Sequence, residues 1–262
     1  MFYWIYDFPT VYTGALFAFI FVATTWLGLL LVRPHVRHLI HAEKRANDMI
    51  GFTISSFSVL YGLLLGLVAV ASYQNFSAVN DIANKEASLI ATLYRDLRGY
   101  PEPIRGVLQD SLRDYTRAVI EESWPLQRKG IVPTVGTDRV TRFFDELLKF
   151  QPTEKREEIL FAETLRQFDV FVEARRSRLA NVDTGLPAVL WWVVAIGAFI
   201  NIALLWMLDM EIHVHFVLSG ALSLFLGVVI FLIAAMDNPF RGEVSVGPDA
   251  YRLVYETLMK PK

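Results

Sequence analysis

From Ile50 to Phe76 the chain reads IGFTISSFSVLYGLLLGLVAVASYQNF, a run without one charged side chain. A helix rises about 1.5 Å per residue, so roughly 20 residues cross the ~30 Å of bilayer hydrocarbon with every backbone N–H paired inside the segment. The run is long enough to span a membrane as a helix. Three other stretches meet the same test. Val11–Val32 precedes it and is expected to stop at Arg33 and Pro34; Pro187–Leu208 and His215–Met236 come later. Only Asp209–Val214 join those two, a link short enough to force an antiparallel hairpin. Buried core helices of large soluble proteins compete with this reading, but they are usually shorter and keep a polar face. Met1–Thr10 holds no Lys or Arg, so the first run reads as a retained helix and not as a signal peptide.

Between the second and third spans the chain changes character. Residues 77 to 187 carry 17 Lys and Arg against 18 Asp and Glu, the composition of a solvated segment. Apolar residues recur there at helical spacing: Ile82, Leu89, Ile90, Leu93 and Leu97; Ile104, Val107, Leu108, Leu112, Tyr115 and Val119; Val140, Phe143, Phe144, Leu147 and Leu148. A fourth set is Ile159, Leu160, Leu165, Phe168, Val172 and Leu179. Proline and glycine break the pattern at Gly99–Pro103, Trp124–Gly136 and Gln151–Pro152. No proline or glycine lies between Gly66 and Gly99, so the second span is expected to continue into water as one helix, a rod that couples bilayer and domain. The expected fold class is an all-α, polytopic membrane protein with four transmembrane helices. Residues 1–76 hold transmembrane helices 1 and 2, 77–186 a water-facing helical domain, 187–236 the hairpin of helices 3 and 4, and 237–262 a C-terminal tail.

The whole chain, 262 residues, has a net charge of −2, without the basic footprint of a nucleic-acid binder. It contains no cysteine, which excludes disulfides, thiolate metal sites and cysteine nucleophiles. No G-x-S-x-G, H-E-x-x-H or G-x-x-x-x-G-K occurs, so the sequence offers no enzyme signature and calls for no cofactor. His35, His38 and His41 at i, i+3 and i+6 would approach a metal only if the segment were helical and a further ligand arrived. Beside Arg33 and Arg37 they read better as headgroup-level residues, and no metal is assigned to them. Charge leaves orientation open. The loop over 33–49 carries Arg33, Arg37, Lys44 and Arg45, while Lys85, Arg95, Arg175, Arg176, Arg178, Arg241 and Arg252 lie near membrane ends on the other side.

The second span is informative in what it lacks. Val59, Leu60, Leu63, Leu64, Leu67 and Val68 are aliphatic where a transporter places a polar or ionisable group. Two readings stay open for it: a lipid-facing or bundle-core helix, or a pore helix whose Val59, Leu63 and Leu67, at i, i+4 and i+8, form a constriction that gates by drying. Gly62 and Gly66 form a G-x-x-x-G, suited equally to packing within one chain and to contact with a neighbouring subunit. After the fourth span, Asp237, Asn238, Pro239 and Phe240 make an acidic, proline-containing turn that reads at its simplest as a helix stop.

Two places in the chain resemble a known family. Residues 62–80, GLLLGLVAVASYQNFSAVN, followed by Lys85-Glu86-Ala87-Ser88, together with Arg113-Asp114-Tyr115 and Trp124-Pro125, resemble the bestrophin-like bacterial membrane proteins, formerly a domain of unknown function. More distantly, the second span and the Asp237–Phe240 turn are similar to bacterial bestrophins, whose fourth span ends in Asn-Pro-Phe-Gly. Bestrophins are pentameric anion channels with an apolar neck lined by the second helix and a cytosolic helical vestibule. Laying Leu65–Leu67 on their Leu-Gly-Phe places the neck at Val59, Leu63 and Leu67. Departures accompany the match: the aromatic neck residues are aliphatic here, and Gln74-Asn75-Phe76 stands where those proteins carry Asp-Arg-Trp. The acidic run that binds calcium in the animal proteins is absent, with only Asp237, Glu243 and Asp249 spread along the tail.

The resemblance implies a bestrophin-like homo-oligomer, a pentamer, in the bacterial inner membrane, with the helical domain and both termini cytoplasmic. Its partners would be the lipid bilayer and small anions such as chloride. A membrane-anchored scaffold or sensor, whose helical domain binds a protein partner, is the alternative from a different class.

Overall fold

The computed structural model describes residues 3–40 and 45–260, and the side chains of 3–36 and 45–260. Helices α1 (Thr10–Ile40), α2 (Ala46–Asp96), α3 (Ile104–Ala118), α4 (Trp124–Arg128) and α5 (Val135–Leu148) come first. They are followed by α6 (Lys155–Ala180), α7 (Ala188–Trp206), α8 (Ile212–Met236) and α9 (Asp249–Val254), and no strand forms among the described residues. The chain divides into two compact units. One comprises Met1–Asn75, Gly185–Asp237 and Gly242–Val244; the other comprises Phe76–Thr184, Asn238–Arg241 and Ser245–Lys262. The long helix expected from the absence of breakers forms: α2 is continuous over 51 residues and supplies side chains to both units.

Four helices are long and apolar enough to cross a membrane, over Thr10–Val36, Ala46–Gly99, Ala188–Trp206 and Ile212–Met236, the second of them lying in the first unit up to Asn75. The sequence predicts an end to the first span at Arg33 and Pro34, whereas α1 passes through Pro34 to Ile40. A proline inside a helix removes a single i→i−4 bond, and near a helix end the freed carbonyl is readily satisfied by other groups. Arg33 is held there by Asp209, 3.9 Å away, and by a hydrogen bond to the Met210 carbonyl. Asn47, at the start of α2, clasps the same turn: its Nδ2 donates to the Asp209 carbonyl at 3.1 Å and its Oδ1 accepts from the Asp209 N–H at 3.0 Å. One of the cations counted for the 33–49 loop is therefore paired within the unit.

Small residues let these spans approach closely. A Cβ added to Gly227 of α8 would lie 3.1 Å from the Phe17 carbonyl oxygen and 3.2 Å from the Ala18 Cα, so α1 and α8 meet backbone to backbone. Gly28 makes room for the Trp206 indole, whose Nε1 donates to the Thr25 carbonyl at 3.0 Å. Ahead of α1, a 3-10 turn over Tyr3–Tyr6 docks through the Tyr6 hydroxyl, which donates to the Ala234 carbonyl at 2.7 Å. Glu243 then accepts the Thr10 N–H at 2.9 Å, an anion placed where the helix dipole favours one.

The second unit buries most of the apolar positions that the sequence spacing marked, while Val107, Leu148 and Ile159 stay exposed. Val79, Ala83, Ile90 and Leu93 of α2, and Leu97 in the 3-10 turn that follows it, face Leu108, Leu112 and Tyr115 of α3, Phe143 and Leu147 of α5, and Phe168 and Phe171 of α6 in one core. A π-helical turn over Val119–Ser123 carries the helical backbone from α3 straight into α4, so the helix runs to Arg128, past the expected break at Trp124, with Pro125 inside it. Most of the 237–262 tail belongs to this unit: Phe240, Val246, Tyr251 and Met259 are fully buried in its core. Trp124 sits among them, 5.6 Å from the Phe240 ring and 5.3 Å from the Tyr251 ring, and its Nε1 donates to the Val246 carbonyl at 3.1 Å.

At the centre of this core is an ion pair with no solvent exposure to speak of. Arg178 donates from Nε and Nη2 to the Glu86 carboxylate at 2.7 and 3.2 Å, and the Tyr115 hydroxyl donates to the same carboxylate at 2.7 Å. The guanidinium also lies over the Trp124 and Tyr251 rings at 5.5 and 5.8 Å. Burial works against its charge, and Glu86 more than offsets that, so Arg178 stays protonated. The Tyr115 hydroxyl is pushed up by burial and by the neighbouring Glu86 charge, so it remains a donor.

The turn after α4 depends on Gly130, at φ +70°, where an added Cβ would lie 1.6 Å from Arg241 Nη2. Gly130→Ala meets both a left-handed backbone penalty and a displaced guanidinium. It is expected to destabilise the unit by about 1–2 kcal/mol, read as an earlier thermal transition in the far-ultraviolet circular dichroism of the detergent-solubilised protein.

Candidate pore-lining face of the second helix

Within the first unit, α2 buries one stripe: Tyr61, Leu65, Val68 and Ser72, at i, i+4, i+7 and i+11. Tyr61, Leu65 and Val68 pack with Val194 and Ala198 of α7 and Ile230 and Ile233 of α8. The face opposite is bare. Val59 is 72% exposed, Leu63 63% and Leu67 64%, and Val70 extends the row. Among the described residues no other helix covers the three that the resemblance assigns to a neck.

Gly62 and Gly66 lie beside this row, and a Cβ on either would meet nothing within 4 Å. Of the two roles open to the G-x-x-x-G, packing within one chain finds no contact here. Along the same side of the helix the aliphatic row is bracketed by exposed polar residues, Ser55 and Ser56 before it and Gln74 after it. The uncovered faces of α1 and α7 mix aliphatics with bulky aromatics, Tyr12, Phe19 and Trp26 on one and Trp192 and Phe199 on the other, and α2 exposes Phe52 and Tyr73 beyond the two ends of its aliphatic row.

Polar bonds hold the buried side of α2. The Tyr61 hydroxyl donates to the Val194 carbonyl at 2.7 Å, and the Ser72 hydroxyl to the Ile233 carbonyl at 3.3 Å. Asn201 Nδ2 donates to Ser58 Oγ at 3.3 Å. Sequence reasoning passed over these groups. Asn201 in the apolar run of α7 was the available signal, because a polar side chain inside a span needs a partner.

The turn Asp237–Phe240 is more than a stop. Asp237 accepts the Leu186 N–H at 2.5 Å and the Trp191 indole N–H at 3.1 Å. Burial pushes its carboxyl up, and these two bonds pull it back only in part. In the other unit, the Pro239 carbonyl accepts the Val246 N–H at 2.7 Å, Phe240 seats against Trp124, and Asn238 is almost fully buried. His35 Nδ1 donates to the Leu31 carbonyl at 3.1 Å, while the His38 side chain and His41 lie outside the described residues. Among the described residues no three His, Asp or Glu side chains are grouped to hold a metal.

Fold and face together define a class: an all-α, multi-pass membrane protein with a helical unit inserted between its second and third spans. Comparison with known proteins gives the family. A Bestrophin-like domain matches residues 19–251, and the chain belongs to that family. No curated protein matches it. Among solved structures, a bestrophin homologue from Klebsiella pneumoniae is similar at TM-score 0.62 and 14% identity, covering 93% of this chain and 96% of that one. A single-site variant of the same homologue gives 0.67 at 12% identity, covering 94% and 99%. A variant described as a membrane protein gives 0.59 at 15%, covering 90% and 97%. At these identities the likeness establishes a bestrophin-like fold.

Proposed function

We propose that the protein is an oligomeric ion channel, a pentamer, with the uncovered face of α2 turned to a common axis. Val59, Leu63 and Leu67 form its neck, and small anions such as chloride pass through it. The observation that carries this reading is the aliphatic row itself, uncovered within the chain and bracketed on the same side by Ser55, Ser56 and Gln74. Ser55 is satisfied within the helix by the Gly51 carbonyl at 2.9 Å, but the exposed Ser56 and Gln74 at the two ends of the row suit a water-filled mouth better than hydrocarbon. The glycines beside the row suit close approach of a second α2. An aliphatic neck favours ions that give up water readily and closes by drying, without a bound plug.

Imaging the purified protein in lipid nanodiscs tests the assembly. The expected result is a closed ring with the α2 helices nearest the axis around a continuous passage. A ring whose axis is filled by lipid, or one with α2 at its periphery, would replace the channel with a membrane-anchored scaffold.

A further inference from the structure

Hydrophobic burial is non-directional, and α2 is aliphatic almost all round between Val59 and Val70, so burial by itself does not fix the rotation of this helix. Hydrogen bonds are directional. At 3.6 residues per turn, the stripe of Tyr61, Leu65, Val68 and Ser72 lies about 170° around the helix from the centre of Val59, Leu63 and Leu67. The bonds that fasten it therefore act on the side away from the neck.

Tyr61 is the most constrained of these groups. Its ring fills the space above Gly197 of α7, where an added Cβ would lie 2.2 Å from Cε2 and 2.5 Å from Cδ2. Its hydroxyl reaches one turn along the same helix to the Val194 carbonyl, and Phe57 stacks on it at 6.0 Å with the rings 15° apart. One turn of α2 away, Ser58 is bonded to Asn201, also on α7. The two polar contacts and the glycine seat thus come from a single helix, at the level of the aliphatic row.

We infer that Tyr61, seated on Gly197 and bonded to Val194, and Ser58, bonded to Asn201, are the positioning residues of the neck: they set the rotation of α2 and so decide which side chains face the axis. The inference rests on the channel reading above. Without these contacts, Leu60 and Leu64 compete with Leu63 for the inward position, and movement of α7 becomes a means of changing the neck.

The chain has no native cysteine, so single cysteines at Val59, Leu60, Leu63, Leu64 and Leu67 report water access one position at a time. Each is placed in the full-length oligomer, reconstituted in liposomes, and reacted with a small charged thiol reagent. In the parent, positions 59, 63 and 67 are expected to react about tenfold faster than 64, with 60, exposed at the flank of the row, between them. In Tyr61→Phe with Ser58→Ala the ratio should fall to about threefold or less, the loss expected from breaking interhelical hydrogen bonds of ordinary strength. Gly197→Ala, which alters α7 alone, should give the same shift, and Ser58→Thr, which keeps the hydroxyl, should keep the parent pattern. An unchanged parent pattern in both the double variant and Gly197→Ala overturns the positioning role and leaves the channel reading standing. No reaction at any of the five positions in the parent overturns the channel reading itself.

Discussion

Arg178→Ala is expected to destabilise the helical unit by about 3–5 kcal/mol, the cost of removing one member of a buried ion pair. The loss comes less from the missing attraction than from what remains. Glu86, with no exposed surface, would be left as a buried carboxyl without its counter-ion, and the faces of Trp124 and Tyr251 would lose the cation packed over them. Set against a typical 5–15 kcal/mol for a domain, this is a large share of the whole. Native-state proteolysis of the detergent-solubilised protein reads it, with cleavage within 77–184 rising steeply in the variant. A paired Glu86→Leu, Arg178→Met replacement should restore most of the resistance, because apolar residues of similar size fill such sites without an uncompensated charge. Parental resistance in Arg178→Ala would mean that the pair is not buried as described.

A chain ending at Val244 should fail to form the helical unit at all. Removing Ser245–Lys262 takes Val246, Tyr251 and Met259, each almost wholly buried, out of one core. It also strips the Trp124 indole N–H of the Val246 carbonyl and the Arg113 Nε of the Met259 carbonyl, bonded at 3.1 and 2.7 Å. Each deleted side chain of this kind costs roughly 2–5 kcal/mol, and a buried donor left unpaired costs about 1–3 more. The sum, about 8–21 kcal/mol, is as large as the whole stability of an ordinary domain, about 5–15 kcal/mol. Leu253→Ser is the control on the same segment: Leu253 is exposed in the chain, and its replacement should change proteolysis little. A truncated protein as protease-resistant as the parent would show that the tail is an accessory to the unit.

What could be read without coordinates follows the range of the interactions involved. The four spans were legible because solvent acts on each segment separately: hydrocarbon demands a long uncharged helix, and the sequence supplies four. The continuity of α2 was legible for a similar reason, since helix breaking is local and no breaker lies between Gly66 and Gly99. The apolar stripes of α3, α5 and α6 likewise follow from a 3.6-residue period.

Long-range pairing was not legible. Glu86 and Arg178 stand 92 positions apart, Trp124 and Val246 stand 122 apart, and Tyr61 and Val194 stand 133 apart. No local pattern ties one to the other. The tail looked like an ordinary exit from the last span because its core residues, Phe240, Val246, Tyr251 and Met259, are spaced too irregularly to mark a face. Pro34 misled for the opposite reason: a strong local signal was overridden, and α1 ran on. Val59, Leu63 and Leu67 were picked out by spacing and resemblance, but that no other helix among the described residues covers them is visible only in three dimensions.

The central claim is that this uncovered face of α2 lines an ion pathway, and the most direct measurement is current. Purified oligomer is reconstituted in chloride-loaded liposomes and planar bilayers, the parent beside Leu63→Ala, with efflux and single-channel conductance recorded from both. Anion current through the parent, with larger unitary conductance and greater leak in Leu63→Ala, is the predicted result, since shortening the side chain widens an apolar constriction and eases its wetting. Silence from both well-formed oligomers, or a conductance that Leu63→Ala leaves unchanged, would contradict it.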